Sequence, residues 1–229
     1  MHDLIVWFND PVNWHGTNGV PQRVEELLWV WAWAMAIALL IAVPGGLLVG
    51  RSKRSGVLTA NVANIGRAIP TFAVLVLGVI WLGLGNLPVI IALVLLAIPP
   101  MFTFTLTAIR QVDPATVESA RGMGMTEPRV LRAVQVPLAL PLMLNGIRLS
   151  SAAVIATAPL AALVGGGGLG RYVVDGFAIR DYTLVGAGVV LVVVLVMLNE
   201  LVFALLTRAA SKGPARPRRR ARRDAFANS

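Results

Sequence analysis

Apolar residues gather into five blocks, 27–49, 57–84, 89–108, 141–163 and 183–206, separated by shorter polar stretches. At ~1.5 Å per residue, blocks of this length cross the roughly 30 Å hydrocarbon layer as helices. The pattern therefore predicts an all-α, polytopic membrane protein with about five spans. The second block differs from the others. Residues 57–69 are mildly apolar and hold Asn61, Asn64 and Arg67, and Pro70-Thr71 then open a firmly apolar run. We read 57–84 as one kinked span, with Arg67 snorkelling toward the inner face. In the first block Pro44-Gly45-Gly46 permits a kink and close helix contact, and Trp29, Trp31 and Trp33 read as an interfacial aromatic belt. In the third block the pair Pro99-Pro100 removes two donors, which predicts a break facing protein or water. Thr103, Thr105 and Thr107 either replace some of the lost hydrogen bonds or pack against other helices. The Ala- and Ser-rich fourth block is suited to the centre of the bundle.

Composition agrees with the pattern. The 229 residues are 57% hydrophobic and 14% charged, with a mean hydropathy of +0.76, which is the profile of a membrane protein. The absence of cysteine excludes disulfides and thiolate chemistry, and His2 and His15 both lie in the N-terminal segment, so no metal site is expected. The net charge of +9 would suit nucleic acid, but it is concentrated in loops and in the tail, and topology accounts for it better. Fifteen basic residues fall on one side of the five-span arrangement against three, Arg23, Arg171 and Arg180, on the other; without the tail the bias is still seven to three. By the positive-inside rule the N-terminus is outside and the C-terminus inside. The chain divides into an extracytoplasmic segment, 1–26, a transmembrane domain, 27–207, with a cytoplasmic loop at 109–137, and a basic tail, 208–229. With little to bury, that tail is expected to be disordered and to act as a topological anchor beside anionic lipid.

The loop at 109–137 is the longest polar interruption. Asp113-Pro114 is a good helix start, an acceptor side chain followed by a residue with no N–H to lose. Gly122 and Gly124 offer positive-φ positions that end a helix cheaply. Thr126 can cap a second helix that Val136-Pro137 would end. Two short helices on a glycine bend make a knuckle. Its residues resemble the motif of binding-protein-dependent ABC importer permeases: Glu118-Ser119-Ala120, then Gly124, Val134 and Val136-Pro137 keep the spacing, with Ser and Val as conservative replacements. The resemblance implies a type I importer permease fold in the plasma or inner membrane. It also implies that Glu118, Ser119, Ala120, Gly122, Gly124 and Pro137 couple the chain to ATPase subunits at the cytoplasmic face. ATP and Mg would be bound by those partners, with no cofactor and no catalysis here. The remaining implied partners are an extracytoplasmic substrate-binding protein and a second permease subunit, identical or related.

Gly165-Gly166-Gly167-Gly168-Leu169-Gly170 lacks the Gly-Lys-Ser/Thr ending of a phosphate loop and falls on the outer side, so it reads as a turn or gate. Arg67, Pro70, Thr71, Pro99, Pro100 and glycines 165–168 are the pathway or gate candidates. Arg67-Ala68-Ile69-Pro70-Thr71, Ala97-Ile98-Pro99, Gly122-Met123-Gly124-Met125 and Gly146-Ile147-Arg148 are further similar to segments of the osmoprotectant group, permeases for glycine betaine, choline or carnitine. Amino-acid importers are the alternative. A secondary transporter or a membrane enzyme is poorly served, since the spans hold few charges and no acid/base or nucleophile constellation. The two opposite charges within the spans, Arg148 and Glu200, lie at matching depth. They either pair or each snorkel to the inner interface.

Overall fold

The computed structural model describes residues 2–50 and 70–211, and among these all regular structure is helical. A short helix α1 (His2–Asn9) and a 3-10 turn (Pro11–Trp14) precede α2 (Val20–Gly50). They are followed by α3 (Thr71–Leu82), α4 (Asn86–Arg110), α5 (Pro114–Gly122), a one-turn helix α6 (Glu127–Val130), α7 (Val136–Thr157), α8 (Gly170–Ile179) and α9 (Tyr182–Ser211). Among the described residues, four helical stretches are long and apolar enough to cross a membrane: Val20–Gly50, Asn86–Arg110, Glu127–Val164 and Tyr182–Ala210. Helix α3, with 12 residues, extends only about 18 Å. Arg67 and most of the predicted kink lie outside the described residues. Pro70 stands just before α3, where its carbonyl accepts from the Val74 N–H at 3.2 Å.

Helix α4 is the centre of the bundle, packed between α2 and α7, with α3 against it and α9 covering α7. The α2–α4 contact has a simple cause. Every fourth residue of α2 from Ala34 through Ala38, Ala42, Gly46 and Gly50 is small and buried. Facing them is the matching row Leu93, Ala97, Met101, Thr105 and Ile109 of α4, also buried. Rows at four-residue spacing are the ridges along which helices interdigitate, and small residues let the backbones approach. A Cβ at Gly46 would lie 2.8 Å from the Thr105 Cβ. On the other side of α4, a Cβ at Gly146 of α7 would lie 2.5 Å from that of Phe104 and 3.3 Å from the Pro100 carbonyl.

That clamping corrects one expectation. Helix α4 continues through Pro99 and Pro100 without a break. The two missing donors disrupt one turn, but the helix is held along both sides, and the buried Ser150 hydroxyl donates to the neighbouring Ala97 carbonyl at 2.8 Å. The Thr103 and Thr105 hydroxyls have no partner among the described residues, so these two threonines pack instead of replacing lost bonds. A second correction concerns Val136-Pro137. The helix does not end there: residues Leu131–Gln135 form a π-turn that runs directly into α7. The Val136 N–H reaches back five residues to the Leu131 carbonyl. This widened turn makes room for the Pro137 ring, which would otherwise press on the carbonyl four residues earlier.

Replacing Gly46 by Leu should force α2 and α4 apart and destabilise the fold by about 1–3 kcal/mol, the range for overpacking. Gly122→Ala, where an added Cβ meets nothing within 4 Å, should leave thermal unfolding of the detergent-solubilised protein unchanged.

Candidate coupling knuckle and polar contacts of the bundle

The knuckle is built as a helix, a positive-φ bend and a second helix. Asp113 caps α5, its carboxylate accepting from the Ala115 N–H at 3.1 Å, and Pro114 takes the first helical position. At the other end the Met125 N–H donates to the Ala120 carbonyl at 3.2 Å and the Gly124 N–H to that of Arg121 at 2.9 Å. Gly124 has φ +83°. This is the Schellman arrangement, in which a left-handed residue reverses the chain and satisfies the last carbonyls. Gly122, by contrast, is helical and does not use positive φ. Arg121 then closes the bend, its guanidinium Nε 2.7 Å and Nη2 3.3 Å from the two carboxylate oxygens of Glu127. The hydrogen bond to Glu127 raises the Arg121 pKa further.

The six motif residues divide by direction. Val117 and Ala120 are buried in a small core with Ile109, Val112, Val130 and Met143, which fastens α5 to the ends of α4 and α7. Glu118, Ser119, Gly122 and Gly124 face outward, and Met123 beside them is 71% exposed. Pro137 is exposed but lies beyond the π-turn, on α7. Between α5 and the bundle a cavity of about 570 Å³ is lined in part by Gly50, Pro114, Glu118, Arg121 and Gln135.

At the opposite end of the bundle the glycine run is ordered by contacts. Gly165 and Gly168 take φ of +80° and +89°. The Gly168 N–H donates to Glu26 Oε2 at 2.6 Å, and a Cβ at Gly167 would fall 2.2 Å from the same oxygen. Arg23 Nη1 lies 2.9 Å from that oxygen. Its Nη2 donates to the Asn18 side chain at 2.6 Å, and the Tyr172 hydroxyl donates to the Asn18 carbonyl at 2.7 Å. Burial pushes the Tyr172 phenol pKa up, so it stays a neutral donor.

Within the apolar bundle two polar contacts stand together. Arg148 Nε donates to Glu200 Oε2 at 2.6 Å, and the Nη2 contacts the same oxygen. Next to this pair the Trp31 indole N–H donates to the Ser151 hydroxyl at 3.0 Å, which donates to Asn199 Oδ1 at 2.5 Å. Trp31 therefore points into the bundle, which removes it from the interfacial belt; Trp29 and Trp33 are each 51% exposed. The angular offset was available in the sequence, because residues 29 and 33 share a helix face and 31 lies on the other.

Four membrane-length helices among the described residues, with a helix–bend–helix knuckle at one end, define a multi-pass membrane protein. The chain belongs to the family described as "Binding-protein-dependent transport system inner membrane component", which matches residues 34–213. It is 32% identical over 194 residues to the glycine betaine/carnitine/choline transport system permease protein OpuCB of Bacillus subtilis, covering 84% of this chain and 89% of that protein. It is 34% identical over 205 residues to the carnitine transport permease protein OpuCB of Listeria monocytogenes, covering 90% and 91%. With the choline transport system permease protein OpuBB of B. subtilis it shares 35% over 170 residues, covering 74% and 78%. Among solved structures, an inward-facing form of the MetNI methionine ABC transporter superposes with TM-score 0.72 at 24% identity, covering 88% of this chain and 99% of that one. An amino acid ABC transporter with histidines superposes with TM-score 0.68 at 18% identity, covering 83% and 93%. These likenesses establish the fold.

The Arg148–Glu200 contact generates a double-mutant test. Arg148→Glu and Glu200→Arg should each lower thermal stability in detergent, and the double exchange should recover part of the loss through a coupling of about 0.5–3 kcal/mol. Purely additive damage would mean that the pair does not tie α7 to α9.

Proposed function

We propose that this chain is the transmembrane permease of an ABC importer for quaternary-amine osmoprotectants such as glycine betaine, choline or carnitine. The observation that carries the reading is the ordered Glu118 to Gly124 knuckle, in a chain whose relatives at 32–35% identity are permeases of that group. On this reading the outward residues Glu118, Ser119 and Gly122 present α5 to a groove on an ATPase subunit, while Ala120 fixes the helix to the bundle. The knuckle end is cytoplasmic and the glycine-loop end faces a soluble binding protein. The bias of basic residues toward the knuckle side supports this orientation. A second permease, identical or related, completes the pathway. Pro99, Pro100 and Thr71 belong to the helices beside it, and glycines 165–168 form its outer gate. The Arg148–Glu200 pair holds α7 and α9 at a fixed register beneath it.

The test uses the complete transporter in proteoliposomes. Substrate-dependent ATP hydrolysis and choline or glycine betaine uptake should appear together with the cognate binding protein. Gly124→Val, a β-branched residue at φ +83°, costs on the order of 1–3 kcal/mol locally and should uncouple hydrolysis from uptake while the chain still inserts. Full coupling in that variant would remove the knuckle assignment.

The gate reading makes its own prediction. Gly166→Ala with Gly167→Ala pushes a methyl into the Ala161 carbonyl and another into Glu26, so uptake should slow several-fold at normal protein levels. An unchanged rate would leave the loop a passive linker.

A further inference from the structure

Beside the glycine run lies a cavity of about 380 Å³, a size within the range of small-molecule pockets. One wall is Gln22, Glu25, Glu26 and Trp29, which at spacings of three and four form a single stripe of α2. The other wall is mostly backbone, from Gly85 with Asn86 and from Gly165 with Gly167.

The two carboxylates are not equivalent. Glu26 is already committed, accepting from the Gly168 N–H and paired with Arg23. Glu25 is exposed and has neither a hydrogen bond nor an ion pair among the described residues. The cavity therefore carries one uncompensated negative charge. One helical turn along, the Trp29 indole is held edge-on against Trp33, with ring centroids 6.1 Å apart, so it enters the wall already oriented. A divalent metal ion needs six or more oxygen ligands or compact nitrogen and sulfur donors, which one free carboxylate does not supply. A bulky, weakly hydrated cation needs less: a counter-charge and an aromatic face.

We propose that this cavity binds a quaternary ammonium ion, with Glu25 as counter-charge and Trp29 as the aromatic face. The inference rests on the osmoprotectant reading above and deepens it, giving the permease its own recognition of the cation where cargo would enter.

Binding of tetramethylammonium to the full-length chain in nanodiscs, followed by saturation-transfer NMR of its methyl protons, tests the site. Neopentyl alcohol serves as a neutral probe of similar shape. The wild-type chain should bind the cation and not the alcohol. Glu25→Gln and Trp29→Leu should each weaken binding about tenfold, whereas Glu25→Asp and Trp29→Phe should keep most of it. No binding by the wild-type chain, equal binding of the alcohol, or full affinity in both the Gln and Leu variants would overturn the proposal. Uptake by the complete transporter separates the two readings. If tetramethylammonium binding depends on Glu25 and Trp29 but choline, carnitine and glycine betaine are not transported, the site stands and the osmoprotectant reading falls. If they are transported and no such binding exists, the reading stands and the site falls.

Discussion

The close approach of α2 and α4 is the constraint on which the rest of the bundle depends. Lipid tails are as apolar as leucine, so helices in a membrane gain little from hydrophobic burial against one another and associate through backbone proximity and dense packing. Five small or glycine positions at four-residue spacing on α2 provide that proximity over most of the helix. Because α4 is fixed along one side, α7 can lean its Gly146 on the other, at the turn that contains Pro100. The same clamping explains why two consecutive prolines leave α4 intact. A helix interior that lacks two donors is a weak point in isolation, but here both flanks are occupied and a buried serine hydroxyl reaches the adjacent carbonyl.

Polar groups in the bundle follow the requirement that buried donors and acceptors find partners. Ser150 uses a backbone carbonyl, Trp31 and Asn199 meet on Ser151, and Arg148 and Glu200 meet each other. Five of these residues lie on α7 or α9, so two polar contacts join the outermost helix to α7 in addition to the apolar packing of Leu191, Val192, Leu195 and Val196 against the core. This contrasts with α2 and α4, which meet through a continuous packed row. The Asn199 amide nitrogen and the Thr103 and Thr105 hydroxyls have no partner among the described residues.

Much of this was legible in the sequence, and the failures share a cause. Four of the five predicted spans were readable from length and hydropathy, and the knuckle's shape from Asp113-Pro114, the spaced motif and its glycines. The chain's choice between Gly122 and Gly124 was not readable, since either can take positive φ. It is decided by which carbonyls, those of Ala120 and Arg121, receive the reversing N–H groups. The break expected at Pro99-Pro100 and the helix end expected at Val136-Pro137 both applied a correct local rule to a site where neighbours or a π-turn absorb the proline. The small-residue row of α2 and the inward turn of Trp31 could have been found by helical periodicity alone. The clasp of Glu26 on the glycine run could not, because it joins residues 142 apart in the chain.

The two ends of the molecule are held in different ways, and the difference bears on how force would pass through it. At the knuckle, Val117 and Ala120 sit in one small core with residues of α4 and α7. A load applied to the outward face of α5 would therefore move those helix ends as a body, not bend the loop alone. At the other end the glycine run is fixed by the Glu26 carboxylate and by backbone hydrogen bonds, and it lies between Val164 and Leu169, which are buried in the main core. Hydrogen bonds of this kind can be exchanged for bonds to water, whereas a packed core cannot be opened so cheaply. A packed knuckle at one end and a hydrogen-bonded glycine run at the other, joined by α4 and α7 running between them, form a continuous path along which a displacement at one end is carried toward the other.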